Sequence, residues 1–278
     1  MLTKTKIAVY DGDGKNKTLS RTYAVRSEDG SILQDPLTSV VSYNFDDERQ
    51  RPTLMNSLAL IESGAAKVML HDLPAGSLDK LQDISDNGKG IKYLMRLIEE
   101  SNARLTVLLG VDAEYESALS ALATLKLFGD KVDYVAMLNM REASSESVEE
   151  MTYYHGFQDG TGVVKGGKAR EELLRLKGTE VMVPKLAAST RSKVNAEHFT
   201  LATASSRHTK TLWSNDRMRV TAFRDTFREG IEANPVAMKY LGLDGSDQPR
   251  LLWAVSDKGG IGKSWWCGAL VDLFRSED

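Results

Sequence analysis

Short apolar runs alternate along this chain with longer stretches of helical spacing. Lys6–Tyr10, Leu37–Tyr43, Ala66–Leu70, Leu105–Val111, Val132–Leu138, Glu180–Val183 and Leu251–Val255 read as strands. Most are near-continuous in apolar residues, the pattern of strands buried on both faces. Thr53–Glu62, Ile91–Glu100, Tyr115–Phe128, Ala169–Leu176 and Ser264–Phe274 carry the period of helices. Such alternation predicts an α/β fold: a doubly wound, mainly parallel sheet with helices on both faces. Sheets of this kind place ligands at the carboxyl ends of their strands. Several of these strands run into polar or glycine-rich loops: Asp11–Gly14, Asp72–Gly76, Asn139 and Ser256–Lys263. Those loops form one candidate site. The least regular stretch, Arg141–Lys168, holds two glycine clusters and reads as an inserted loop.

Composition narrows the classes. The 278 residues carry 36 basic and 39 acidic side chains, a net charge of −3. Nothing in that balance calls for nucleic acid over the whole surface. No apolar run reaches the roughly 18 residues of a membrane helix, and the opening MLTKTKIAVYDGDG lacks a secretory core. A single cysteine, Cys267, excludes an internal disulfide, a multi-thiolate zinc site and a cluster held by this chain alone. It suits a reducing cytoplasm, and its expected role is packing. The four histidines, His71, His155, His198 and His208, show no metal-ligand spacing.

The sharpest motif is Asp257-Lys258-Gly259-Gly260-Ile261-Gly262-Lys263-Ser264, set between an apolar strand and a helix. Glycines let backbone amides wrap phosphate oxygens, and the helix amino terminus adds partial positive charge. In such loops the lysine reaches the β- and γ-phosphates and the following hydroxyl ligates Mg²⁺. Two look-alikes, Gly12–Thr18 and Val164–Lys168, lack the full spacing or the hydroxyl and read as loops.

The extra Lys258 makes this segment resemble the deviant phosphate loop of the ParA/MinD family of ATPases. Asp11-Gly12-Asp13 matches that family's Asp-x-Asp loop, and Asp72-Leu73-Pro74-Ala75-Gly76 its Asp-x-Pro-x-Gly strand end. Leu138-Asn139 and Val183-Pro184 match its strand ends in Asn and Pro. These positions span nearly the whole chain. The order differs, because the family's phosphate loop precedes its Asp-x-Asp strand and here it follows. Joining Asp278 to Met1 restores the family order. The chain therefore reads as one circularly permuted ATPase domain over 1–278: a body over 1–241, a linker over 242–249, and the first strand, phosphate loop and first helix over 250–278. A tandem protein cut just after a second phosphate loop gives the same order. If the permutation holds, the two ends meet at the surface, and Lys6–Tyr10 runs parallel to Leu251–Val255 in one sheet.

The resemblance also implies roles. Gly259, Gly260, Ile261, Gly262, Lys263, Ser264 and Trp265 would contact ATP or ADP, with Asn139 facing the adenine and Pro184 beside the nucleotide. Mg²⁺ would be held by Ser264 and by Asp72 through water, with Asp13 close. Asp13, Lys258 and Lys263 would be catalytic: Asp13 orients the attacking water, and Lys258 reaches the partner's nucleotide across an ATP-dependent homodimer. Trp265 stands where the family usually has a second hydroxyl near the α-phosphate. Lys15-Asn16-Lys17-Thr18 replaces its usual Pro-Gln.

The segment 185–228 holds nine Lys/Arg; Glu197, Asp216, Asp225 and, one residue on, Glu229 oppose them. That leaves it about +5 and the rest of the chain about −8. Such asymmetry suggests contact with nonspecific DNA, as in the ParA branch. Gly230–Gly242 does not read as the basic amphipathic helix of the membrane-binding branch, so no membrane partner is expected. The expected function is a weak ATPase switch in plasmid or DNA partition or positioning, stimulated by a protein partner, in a bacterial cytoplasm, at the nucleoid or a plasmid. The alternative is a nucleotide-dependent accessory protein of plasmid conjugation or stability with little hydrolysis. A third, metabolic carboxylate activation, lacks a motif.

Overall fold

The computed structural model describes residues 5–83, 90–142, 150–256 and 262–275. The strands are β1 (Ile7–Asp11), β2 (Val41–Ser42), β3 (Val68–Asp72), β4 (Arg104–Val111), β5 (Asp133–Asn139), β6 (Phe157–Gln158), β7 (Val164–Lys165), β8 (Thr179–Val183) and β9 (Arg250–Val255). Seven of them form one sheet in the order β2-β1-β3-β9-β4-β5-β8. Every pairing in that sheet is parallel. β9, last in the chain, therefore runs through the middle of the sheet, between β3 and β4. β1 lies parallel to it, one strand away.

The helices are α1 (Thr18–Tyr23), α2 (Thr53–Asn56), α3 (Ala59–Glu62), α4 (Ser77–Asp83), α5 (Gly90–Glu100), α6 (Tyr115–Phe128), α7 (Thr152–His155), α8 (Lys168–Arg175), α9 (Ala188–Ala196), α10 (Leu201–Ser205), α11 (Ser214–Glu232), α12 (Pro235–Leu241) and α13 (Lys263–Arg275). The strands alternate between two cores because successive side chains point to opposite faces. Ala8, Tyr10, Met69, Leu251 and Trp253 join one core, with Leu94, Ile98, Leu125 and Leu173 from α5, α6 and α8. Ile7, Val9, Leu70, Leu252 and Ala254 join the other, with Leu19, Val220, Phe223, Phe227 and Leu270 from α1, α11 and α13. Burial on both faces explains why these strands lack a polar stripe.

α13 packs on β1, β3 and β9, and on α1. That last approach requires Gly268, since a Cβ there would stand 2.5 Å from the Tyr23 ring. The Tyr23 hydroxyl in turn donates to Asp272 Oδ2 (3.3 Å) and accepts from the Leu201 amide (3.2 Å). α1, α10 and α13 are thus pinned together beside the strand ends. Burial pushes the Asp272 carboxyl up to about 6.

Four expectations need correction. Leu37–Tyr43 is a strand only at Val41–Ser42, where β2 pairs with the end of β1. Thr53–Glu62 is two single turns of helix, α2 and α3. The region after Arg141 is not loop throughout: its described part contains α7 and the β6–β7 hairpin. Val164–Lys165 is a strand of that hairpin, and Lys168 opens α8. The stretch 242–249 is an irregular connection from α12 to β9. Residues 1–4 and 276–278 lie outside the described residues, as does the expected meeting of the two ends.

Candidate functional site

Parallel pairing lines up three strand ends. Asp11, the last residue of β1, is in register with Asp72, the last of β3, and Asp72 with Ala254 of β9. Beyond them the chain stays close: the Gly12 amide donates to Asp72 O (2.8 Å), and the Leu73 amide to Ala254 O (3.1 Å). The loop at Asp11–Asp13, the Asp72–Gly76 turn and the end of β9 therefore share one edge of the sheet.

At this edge Lys263, the first residue of α13, is buried and donates to Asp72 Oδ1 (2.7 Å) and to the Leu73 carbonyl. Burial alone would lower the Lys263 pKa. The Asp72 carboxylate outweighs it and holds the ammonium above its ordinary range. Asp72 is fully buried, and its Oδ2 has no hydrogen-bond partner among the described residues. A buried carboxylate oxygen without a donor is costly, and the Lys263 ammonium on Oδ1 offsets part of that cost.

Asp11 is fully buried and accepts the Asp13 amide (3.1 Å) on Oδ1 and the Ser20 amide (2.8 Å) on Oδ2. Burial first, then the negative Asp72 beside it, raise its carboxyl to about 6. Asp13 is different. Its Oδ1 accepts the amides of Lys15 and Asn16 and its Oδ2 the Asn16 side-chain amide. Partial burial pushes its pKa up, but these donors and the charge of Lys263 outweigh it and hold the carboxyl below its usual range. Asp13 is thus held by hydrogen bonds from its own loop.

A cleft of about 490 Å³ opens here. Gly262, Lys263, Ser264 and Trp265 line it, with Asp13, Lys15, Asn16 and Thr18 from the β1–α1 connection and Pro74–Ala75 after β3. Arg141, Arg191, Asn195 and Asp46 complete it. Four cationic side chains thus face two carboxylates, a lining suited to an anion. The volume is that of an ordinary small-ligand site.

Of the expected site residues, Asp13, Gly262, Lys263, Ser264 and Trp265 converge on this cleft, and Asp72 is joined to it through Lys263. Asn139, ending β5, lies against the loop, with its Nδ2 2.8 Å from where a Gly262 Cβ would stand. Pro184 follows β8, buried and outside the cleft lining. Lys258, Gly259, Gly260 and Ile261 lie outside the described residues. Among the described residues no group of three or more His, Cys, Asp or Glu could hold a metal, so a cation here would rely on the Ser264 hydroxyl, Asp72, water and ligand oxygens. Burial lifts the Cys267 thiol well above its usual range, so it stays an unreactive packing group. His71 is also structural. It is fully buried, stacks on Tyr10 at 4.6 Å, and contacts the Tyr43 and Ser57 hydroxyls.

Sequence reasoning missed Asp46, Arg141, Asn195 and Thr18 as cleft residues. Asp46 lies outside any motif and is held by Lys80 and, at 3.7 Å, by Lys15. Arg191 was counted only in the basic segment. That segment is not one continuous cationic face. Lys193 donates to the buried Asp216 (2.6 Å), Arg219 stands 3.9 Å from the same carboxylate, and Arg224 donates to Ser205.

No protein-family model matches this chain, and no curated protein matches it. Among the described residues no helix is long and apolar enough to cross a membrane.

Proposed function

We propose that the cleft binds ATP with Mg²⁺ and hydrolyses it slowly, as a ParA-like switch. The observation that carries this reading is Lys263 at the head of α13, ion-paired to Asp72 at the end of β3, with Asp13 in the same cleft. The sequence 257–264 has the glycine, lysine and serine spacing of a phosphate loop, whose backbone donors such a site needs.

On this reading Lys263 leaves Asp72 for the β- and γ-phosphates when nucleotide enters. Ser264 and Asp72 would hold Mg²⁺, which would supply charge neutralisation. The Asp72 Oδ2, unpartnered among the described residues, suits that role. Asp13 orients a water for attack on the γ-phosphorus. Its lowered pKa fits positioning more than proton abstraction, which suits a reaction that needs little covalent help. Lys258 reaches a second subunit's nucleotide, so ATP joins two subunits and hydrolysis separates them. A protein partner accelerates hydrolysis, and DNA partition or positioning is the cellular role. A nucleotide-dependent accessory role in plasmid conjugation or stability, with little hydrolysis, is the alternative.

Circular permutation belongs to the same proposal. It is supported by β9 lying between β3 and β4 and by α13 packing on β1, the strand it would precede in the restored order.

Light scattering with Mg²⁺-ADP and with a non-hydrolysable Mg²⁺-ATP analogue tests the switch. The expected result is a dimer with the ATP analogue alone. A chain that binds neither nucleotide, or stays monomeric with both, overturns it.

A further inference from the structure

Trp213 is 77% exposed, the most exposed large apolar side chain among the described residues, and Met218 follows at 70%. The other tryptophans lie inside or in the cleft: Trp253 and Trp266 are fully buried, and Trp265 packs edge-on to Phe223. Local helix physics does not explain Trp213. It occupies the amino-cap position of α11, where Ser, Thr, Asp or Asn is preferred, and its side chain caps nothing. Nor is it carried on a loose loop. Arg217 braces the preceding turn, donating to the carbonyls of Thr209 (3.1 Å) and Leu212 and to the Ser214 hydroxyl (3.0 Å). The indole is held outward by a fixed turn.

Its neighbours in sequence are cationic. Between His198 and Arg224 the only acid is Asp216, which is buried and satisfied by Thr190 and Lys193. Arg207 and Lys210, in the turn before Trp213, are both exposed. A flat aromatic face among cations, with no exposed acid in that stretch, fits a polyanion whose bases are available for stacking. A duplex keeps its bases stacked on one another and would use the cations alone.

We propose that the turn 206–213 and the first turn of α11 form a stacking platform for single-stranded nucleic acid. Trp213 stacks on a base, and Arg207 and Lys210 contact the flanking phosphates. This rests on the proposed nucleic-acid contact of segment 185–228 and not on ATP hydrolysis. Asp216 bonds to Thr190 and Lys193 of α9, whose Arg191 and Asn195 line the cleft.

The test is anisotropy of labelled oligo(dT), about 20 nucleotides long, and of a duplex of equal length, at one low salt concentration, with and without Mg²⁺-ATP analogue. Wild type should bind the oligo(dT), with quenching of tryptophan emission. Trp213→Ala should weaken that binding about 5- to 100-fold, while Trp213→Phe keeps most of it. Duplex binding should change less than about 2-fold in both, the aromatic ring being idle there. Lys210→Ala should weaken both probes. Absence of oligo(dT) binding, equal binding by wild type and Trp213→Ala, or an equal loss on the duplex overturns the platform. So does a Trp213→Ala change seen only in self-association. Lys263→Ala separates the two readings: it should lose nucleotide yet still bind oligo(dT) in its absence.

Discussion

The Lys263 ammonium stands 2.7 Å from Asp72 Oδ1, across 191 residues of sequence. It is the described cation bonded to that fully buried carboxylate. Removing one member of a buried pair strands the other's charge, at about 3–5 kcal/mol, whereas removing both is often near neutral. Lys263→Ala should therefore lose about that much stability in urea unfolding. The double variant Lys263→Ala/Asp72→Ala should regain most of it, and neither should bind Mg²⁺-ATP in calorimetry. Equal stability of single and double variants would show that the pair is not coupled.

Gly262 has two separate reasons to be glycine. Its φ is +75°, and a Cβ would stand 2.8 Å from Asn139 Nδ2. The left-handed backbone costs a non-glycine residue about 1–2 kcal/mol. Gly262→Ala should lower stability and weaken nucleotide binding more than about 10-fold, since misplacing the loop by a fraction of an ångström moves Lys263. Adding Asn139→Ala should relieve the clash but leave the backbone strain, giving partial recovery of the unfolding midpoint. Full recovery would mean that the φ value is unimportant.

His71 supplies a pH signature. Burial lowers its pKa to about 3, against about 6.5 when unfolded. Between those values the unfolded chain takes up a proton that the folded chain refuses. Stability should therefore fall as pH drops from about 6.5 toward 3, by roughly 1.4 kcal/mol per unit from this group. Asp11 and Asp272 act oppositely, because their folded pKa values, about 6, lie above the ordinary carboxyl range. They contribute most at low pH and lose that contribution as pH rises toward 6. His71→Gln should flatten the acid-side loss in urea titrations taken from pH 4 to 7. An unchanged slope would contradict the buried neutral imidazole.

Lys258 is the residue on which the switch reading depends most. Lys258→Ala should bind Mg²⁺-ATP within a few-fold of wild type, yet stay monomeric by light scattering with the non-hydrolysable analogue. Normal ATP-dependent dimers in that variant would remove the reason for reading the loop as deviant.

The sequence by itself determined the fold class, the strands of the main sheet and the helices α5, α6, α8 and α13, but it left out α9 to α12, the 19-residue α11 among them. Apolar runs such as Leu105–Val111 have one low-energy use, a strand covered on both faces, and glycine clusters mark where such strands stop. Tyr115–Phe128 emerged with the expected bounds, because its run of Ala and Leu favours helix throughout. The sequence also marked Gly262, Lys263 and Ser264 by the spacing of the 257–264 motif, and Asp13 and Asp72 through the family resemblance. What it could not supply was anything resting on distances between segments. Leu37–Tyr43 shrank to two paired residues because only Val41–Ser42 meets the end of β1. Asp46, Arg141 and Asn195 reach the cleft from separate parts of the chain, and no local pattern records that convergence. The cations of the 185–228 segment look equivalent in sequence. Tertiary packing divided them, drawing Lys193 and Arg219 to Asp216 while leaving Arg207 and Lys210 in solvent. Local periodicity is written in neighbouring residues, whereas burial and ion pairing are fixed only when distant segments compete for the same space and the same charge.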